Sequence, residues 1–182
     1  MNTSGQLVIK PQFDTAGDFH EGLAVIGLGP SPFYPHNPLN GYIDPSGKMV
    51  IPAQYVTAGD FSEGVASVCK LDWSACGYID RDGKIAIPMQ FGRLMAFSEG
   101  LAGACIGNCF GQSTESEGKG KDLEMGKWGF IDHSGHFVIN PQYAYVQNFE
   151  NGIAKVFVGK LGEPSKFGYI DKTGKTIWQP SN

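Results

Sequence analysis

Glutamates recur along the sequence at one fixed position, and paired carboxylates are a common basis for general acid–base catalysis. Three "F-S/H-E-G" segments contain Glu21, Glu63 and Glu99, and a fourth equivalent segment has Asn151 at this position. A catalytic pair needs two different environments to separate the two pKa values, whereas identical copies provide similar environments. We therefore predict that these carboxylates accept hydrogen bonds from nearby backbone N–H groups and serve the fold.

Aspartates form a second series, at the first position of each "D-x-x-G" segment. Asp at the first position and Gly at the fourth is the composition of a type I turn. A calcium ion takes six or more oxygen ligands, and each such turn offers one or two. The sequence therefore predicts hairpin turns here, and not metal sites. The aspartates are Asp44, Asp80, Asp132 and Asp171.

The histidines and short motifs indicate no chemistry of their own. His133 and His136 lie across one turn in "DHSGH", but no Cys and no third His is close in sequence to complete a metal site. No G-x-S-x-G, Walker-type or C-x-x-C motif occurs. We predict no catalytic residue, no metal and no cofactor, so the chain is not expected to be an enzyme.

Four cysteines lie in two local pairs, Cys69 with Cys76 and Cys105 with Cys109. Three states fit this spacing: free thiols in a reducing cytoplasm, one or two disulfides in an exported protein, and a zinc site of four thiolates. Cys69–Cys76 is the natural disulfide, across a short hairpin loop. We predict mostly reduced thiols, because the first residues lack an export signal, and this favours the cytoplasm unless the chain is a trimmed exported one.

A repeated segment positions all of these residues. "GYIDPSGKMVIPAQYVTAGDFSEGVASV" begins at Gly41, related segments begin at Gly77 and Gly129, and a shortened one begins at Gly168. Short apolar runs on both sides of each D-x-x-G turn predict a β-hairpin, and "FSEGVASV" predicts a further strand. The proline after each hairpin, such as Pro52, is expected to end its strand because it lacks an N–H group.

The copies group into four three-stranded antiparallel units, at about 19–55, 61–91, 97–143 and 149–180, after a lead strand near 6–13. A single meander is marginally stable in water, whereas stacked meanders bury a continuous core. We therefore predict an all-β tandem repeat array that forms one domain over 1–182. The predicted form is an open, solenoid-like stack; the alternative is a small, closed, propeller-like ring, which would remove exposed sheet edges.

The segment "KWGFIDHSGHFVINPQY", with the pattern "GYID-x-x-GK-x-x-IP-x-Q-Y/F", resembles the bacterial WG repeat family. The resemblance covers nearly the whole chain. Only Trp128 keeps the tryptophan of that motif, because the equivalent positions hold Asn40, Cys76 and Phe167. The resemblance implies a β-rich, non-catalytic repeat module that acts as an interaction platform, and it implies no defined ligand.

Composition excludes some classes of partner. The net charge is -4 and the pI is about 5.5, whereas a nucleic-acid-binding protein usually carries a basic face. No run of 18 apolar residues predicts a membrane span. We therefore expect a soluble, acidic protein that binds neither nucleic acid nor membrane. The sequence does not predict its oligomeric state.

The sequence departs from the repeat in four insertions, at 27–40, 69–76, 105–128 and 157–167, which all leave from one edge of the array. Loops on a rigid scaffold often carry function, and aromatic residues in them suit interface hot spots. We predict a protein or peptide partner at this edge; the alternative is that these loops vary because nothing constrains them. The candidate binding residues are Phe33, Tyr34, Trp73 and Phe110.

The leading prediction is thus a non-catalytic binding or scaffolding module. The alternative is an enzyme or small-ligand receptor with its site in a central pocket or at the loop edge. That site would use Glu63, Glu99, His133 or Cys105. A concave pocket that contains a strongly perturbed carboxylate or thiol would favour this alternative.

Overall fold

The computed structural model describes residues 7–32, 35–109, 126–159 and 166–178. All regular structure in these ranges is β-strand, which confirms the predicted all-β class. The strands are β1 Thr15–His20, β2 Leu23–Pro30, β3 Pro38–Ile43, β4 Met49–Tyr55, β5 Thr57–Ala58, β6 Val65–Cys69, β7 Cys76–Asp80, β8 Ile85–Phe91, β9 Arg93–Leu94, β10 Ala102–Ile106, β11 Lys127–Ile131, β12 Phe137–Tyr143, β13 Tyr145–Val146, β14 Ile153–Val158, β15 Lys166–Asp171 and β16 Thr176–Trp178.

The strands form four antiparallel, four-stranded sheets, each open and each with its strands in chain order. The first sheet contains β1–β4, the second β5–β8, the third β9–β12 and the fourth β13–β16. This arrangement confirms the tandem repeat. The chain divides into two compact units, Met1–Met89 and Gln90–Asn182, with β8 running across the division.

Each predicted three-stranded unit gains a further strand at its start. The additional strands are β1, β5, β9 and β13, and the last three contain only two residues each. In the second sheet, Thr57 pairs with Cys69 and Ala58 with Val68. Two residues are too few to give an alternating apolar pattern, so hydrophobic periodicity alone does not reveal this strand.

The lead segment, residues 7–13, forms no strand, in contrast to the predicted lead strand. Its Ile9 nevertheless takes the position that an isoleucine of the preceding sheet takes in the next copy of the repeat. Ile9 lies beneath Gly47, where a Cβ added to the glycine would be 2.9 Å from Ile9 Cγ2, and Ile51 lies beneath Gly83 in the same way.

In the first three sheets the strand after the hairpin turn continues through its proline, so the expectation that Pro52, Pro88 and Pro141 end their strands is wrong, and Pro180 lies outside the described residues. Pairing passes from Tyr42↔Ile51 to Asn40↔Tyr55, and four steps along β4 therefore correspond to two along β3. This bulge accommodates Pro52, because a bulged residue need not donate an N–H group to the ladder.

The bulge also explains the glycine of "GYID". A Cβ on Gly41 would lie 2.5 Å from the Ile51 carbonyl oxygen and 2.6 Å from the Ala53 nitrogen. Equivalent backbone contacts, at 2.6 Å and 2.3 Å, face Gly77 and Gly129. The backbone of the bulged strand therefore occupies the space that a side chain would need.

Aromatic side chains connect the sheets inside each unit. In the first unit Tyr42 is fully buried, its ring packs edge-on against Phe61 at 4.9 Å, and its hydroxyl donates to the Gly59 carbonyl at 2.7 Å. In the second unit the Phe130 and Phe149 rings lie 4.7 Å apart. Burial raises the pKa of Tyr42, so its phenol stays protonated as a donor.

Candidate functional site

The recurrent glutamates lie in two-residue hairpin loops. Glu63 has φ 54° and Gly64 has φ 85°, and two successive positive φ angles are the signature of a type I′ turn. Glu21 Oε2 accepts a hydrogen bond from the Gly64 N–H at 3.0 Å. Glu99 accepts the same bond from Gly152, also at 3.0 Å. The predicted structural role of the glutamates is confirmed for these two residues.

Lys172 makes two further contacts with Glu99. Lys172 Nζ donates to the Glu99 carboxylate at 3.0 Å and to the Glu99 carbonyl at 2.9 Å. The bond from Lys172 holds the pKa of Glu99 below its usual range, and the Gly152 N–H acts in the same direction. A general acid needs a raised pKa, so these contacts favour a structural role for Glu99.

We expect Glu99→Gln to destabilise the protein at neutral pH but not in acid. A carboxylate whose pKa is lowered by folding stabilises the fold above its unfolded-state pKa, and this contribution disappears as the pH falls through the folded-state pKa. Urea unfolding of both proteins at a series of pH values measures the difference. Lys172→Met is the matched control, because it should cost much less in the Glu99→Gln background. A difference that persists unchanged into acid would contradict this origin.

The aspartates are turn formers, as predicted. Asp44 Oδ1 accepts hydrogen bonds from the N–H groups of Ser46 at 2.9 Å and Lys48 at 3.1 Å, and the Gly47 N–H donates to the Asp44 carbonyl. The Ser46 hydroxyl contributes most to lowering the pKa of Asp44. All of these acceptor contacts remain inside one turn, so the carboxylate stabilises the hairpin.

The two histidines of "DHSGH" have separate contacts. The His133 ring stacks on Phe97 with centroids 3.9 Å apart, and His136 Nδ1 lies 2.7 Å from the Ser134 hydroxyl. Over the ranges that the structure describes, no three His, Cys, Asp or Glu side chains converge as metal ligands.

All four cysteines are bonded, as Cys69–Cys76 and Cys105–Cys109, so the prediction of mostly reduced thiols is wrong. Cys69 and Cys76 are direct partners in the β6–β7 ladder, at the last pair before the hairpin loop. Side chains opposite each other on antiparallel strands point to the same face, and this register brings the two sulfurs together.

The first disulfide occupies the position of the motif tryptophan. Each sheet has one cross-strand pair at this position, and its members differ from sheet to sheet. Trp128 keeps an aromatic ring there, whereas the second sheet has a covalent bond. The pairs are Gly27–Asn40, Cys69–Cys76, Cys105–Trp128 and Phe157–Phe167.

Of the four predicted binding residues, Trp73 falls within the described ranges, and Phe33, Tyr34 and Phe110 lie outside them. Trp73 is half-buried in the loop between β6 and β7, with φ 59° and its N–H bonded to the Lys70 carbonyl at 3.0 Å. A groove of about 360 Å³ lies beside this loop. Its lining includes Gln54, Tyr55, Lys70, Leu71 and Asp72.

The fourth sheet carries a candidate surface that the sequence did not predict. Five aromatic residues extend across its strands, and we call them the aromatic face: Tyr145, Phe157, Phe167, Tyr169 and Trp178. Neighbouring rings on this face have centroids 5.7–6.3 Å apart. Tyr145 is 46% exposed and Trp178 is 47% exposed.

Lys155 adds a positive charge to the aromatic face. Its Nζ lies 4.0 Å from the Phe167 ring centroid and 5.0 Å from that of Phe157, distances at which a cation is attracted to aromatic rings. A groove of about 700 Å³ runs beside Lys155, Tyr145 and Tyr169. The surface therefore combines exposed rings with one cation.

Polar side chains also line this groove, together with Met95, Ala96 and Ile153. Gln147, Asn148 and Glu150 lie on the segment between β13 and β14. The Asn148 Oδ1 atom is buried, and no donor in the described part of the chain reaches it. A ligand placed in the groove would meet both aromatic rings and hydrogen-bonding groups.

The sequence does not single out Tyr169, because its repeat position is a core position. Its equivalents Tyr42, Tyr78 and Phe130 are all 0% exposed, whereas Tyr169 is half-buried. In the first unit a phenylalanine of the following sheet covers the equivalent Tyr42. The neighbours of the Tyr169 ring, in contrast, are Phe167 and Trp178 of its own sheet.

The described chain contains no helix of the length and apolarity that a membrane span requires. A comparison with curated proteins gave no significant match. The family model for the WG containing repeat matches residues 1–29, 41–72, 77–108 and 128–161, which together make up more than half of the chain. Each of the last three matches begins at or beside the third strand of one sheet and extends past the second strand of the next. The chain therefore belongs to the WG containing repeat family.

Proposed function

We propose that this chain is a non-catalytic binding or scaffolding module whose aromatic face contacts a protein or peptide. The exposed ring system with Lys155 is the observation that carries the proposal. A contiguous apolar patch with a polar rim is typical of an interaction surface, and tyrosine and tryptophan are enriched among the residues that dominate binding.

The aromatic face extends to the end of β14 and the start of β15, where the fourth insertion leaves the sheet. Phe157 and Phe167 pair with each other across β14 and β15 and delimit the fourth insertion. A partner on this face would therefore also reach that loop edge. This position supports the sequence-based expectation of binding there.

The residues named for an enzyme or small-ligand receptor have other contacts. Glu99 bonds to Lys172 and Gly152, Cys105 is in a disulfide, and His133 stacks on Phe97. These contacts favour structural roles for the three residues. The binding module is accordingly the function that we propose.

Selection of a displayed peptide library on the intact chain tests the proposal. Selected peptides should bind the wild-type protein and lose about thirtyfold in affinity for Tyr169→Asp, because removal of a hot-spot residue costs roughly 2 kcal/mol. Val138→Asp is the matched control, since Val138 is 48% exposed on β12, outside the aromatic face. Equal affinities for the two variants would overturn the proposal.

A further inference from the structure

Sheets inside each unit meet through the same contacts. The aromatic residue of one "G-Y/F-I-D" strand packs on the phenylalanine of the next hairpin, and the glutamate of one hairpin accepts a hydrogen bond from a glycine of the next. The aromatic pairs are Tyr42–Phe61 and Phe130–Phe149, and the hydrogen-bonded pairs are Glu21–Gly64 and Glu99–Gly152.

The fourth sheet presents one half of this junction. Tyr169 stands at the position of Tyr42, and its ring neighbours are Phe167 and Trp178 of its own sheet. Asn151 stands at the position of the glutamates, and its side-chain carbonyl is also a hydrogen-bond acceptor. This half of the junction would therefore fit a hairpin that provides a phenylalanine ring for Tyr169 and a glycine N–H group for Asn151.

The first sheet presents the other half. Phe19 is the equivalent of Phe61 and Phe149, yet it is 45% exposed while they are 2% and 0% exposed. Gly22 is the equivalent of Gly64 and has the same left-handed conformation, with φ 82° against 85°. The whole of β1 is exposed. The chain thus presents both complementary surfaces, one on each unit.

We propose that a second copy of this chain docks its first sheet onto the aromatic face, with its Phe19 against Tyr169. The inference rests on the proposed function, because it identifies the partner of the same face. The Tyr169 hydroxyl would donate to the Gly17 carbonyl of the second copy, as Tyr42 donates to Gly59. Such a head-to-tail contact uses a different half on each copy, so each copy keeps one half to which a further copy can bind.

The lead segment of the second copy competes with this docking. Ile9 of the second copy contacts Gly47 in the same way as Ile51 contacts Gly83. Trp178 is the residue of β16 that is equivalent to Ile51, so docking would bring Trp178 of the first copy to Gly47 of the second. The two segments therefore require the same space. Because the lead segment forms no strand, Trp178 can displace it from Gly47. The lead segment therefore acts as a detachable cap that weakens self-association.

Sedimentation of the full chain tests this proposal. We expect species above 19.6 kDa that increase with protein concentration, and we expect Phe19→Asp and Tyr169→Asp each to remain at 19.6 kDa. Mixing these two variants should give only a one-to-one dimer, because each keeps the half that the other lacks. Val138→Asp should associate like the wild type.

Ile9→Asp should shift association to about tenfold lower concentration, because Ile9 is partly buried against the first sheet and a charged side chain at this position releases the cap. The self-association would be overturned if the wild type and Ile9→Asp both remained monomeric. It would also be overturned if a mixture of Phe19→Asp and Tyr169→Asp formed no dimer. Peptide binding that depends on Tyr169 without self-association would leave the proposed function standing. Self-association without peptide binding would support this inference and contradict general peptide recognition.

Discussion

Gly41→Ala is expected to lower the free energy of unfolding by about 3 kcal/mol, at the upper end of the range for overpacking. The added Cβ would lie 2.5 Å from the Ile51 oxygen and 2.6 Å from the Ala53 nitrogen. Both are backbone atoms of the bulge, so no side-chain rotation relieves the clash and the two strands must separate. Urea denaturation followed by circular dichroism measures the loss.

Gly17→Ala, in the same sheet, is the matched control. Its Cβ would lie no closer than 3.7 Å to the Val25 oxygen, which is ordinary van der Waals contact. Met95 and Gln147 hold the equivalent repeat position, so a side chain is compatible with this site. We expect a change within about 0.5 kcal/mol. Equal losses for both variants would show that the bulge is not the cause.

Removing the Cys69–Cys76 disulfide, by changing both residues to alanine, should lower the free energy of unfolding by about 2 to 3 kcal/mol. The bond closes a loop of eight residues, with a sequence separation of 7, and the chain-entropy model gives this magnitude. The shorter Cys105–Cys109 loop should contribute about 2 kcal/mol by the same model. Against a typical stability of about 5–15 kcal/mol, loss of both bonds is a large effect.

Thermal unfolding with and without reductant measures this effect. The double alanine variant should lose less stability on reduction than the wild type, because only Cys105–Cys109 remains to be reduced. Thiol titration of the unfolded wild-type chain should find no free thiol before reduction and four after it. Four titratable thiols without reductant would contradict both bonds.

Much of the fold could be predicted from the sequence because its turns have distinctive residues. Asp44 and Gly47 specify a hairpin turn through side-chain bonds and a positive φ, and this signal recurs in every copy. The bulge at Pro52 was not predictable in the same way, since its position depends on pairing with β3. The two-residue strand β5 likewise exists through its pairing with β6.

The candidate site was harder to predict than the fold. Tyr169 has the sequence context of a core residue, and only the three-dimensional arrangement leaves it half-buried. The state of the cysteines depended on register, because Cys69 and Cys76 become bonding partners only when β6 and β7 pair as they do. The local sequence shows which functional groups these residues carry, but it does not show which residues lie next to them in the fold.

The strand order has a consequence for folding kinetics. Every ladder joins strands that are neighbours in the chain, and a single residue, Val56, separates β4 from β5. Low contact order favours rapid folding, and repeat arrays can nucleate locally and propagate. The first sheet has all its strands once Tyr55 has left the ribosome, so synthesis and folding can proceed together, sheet by sheet. Both disulfides, with separations of 7 and 4, can also close before the chain is complete.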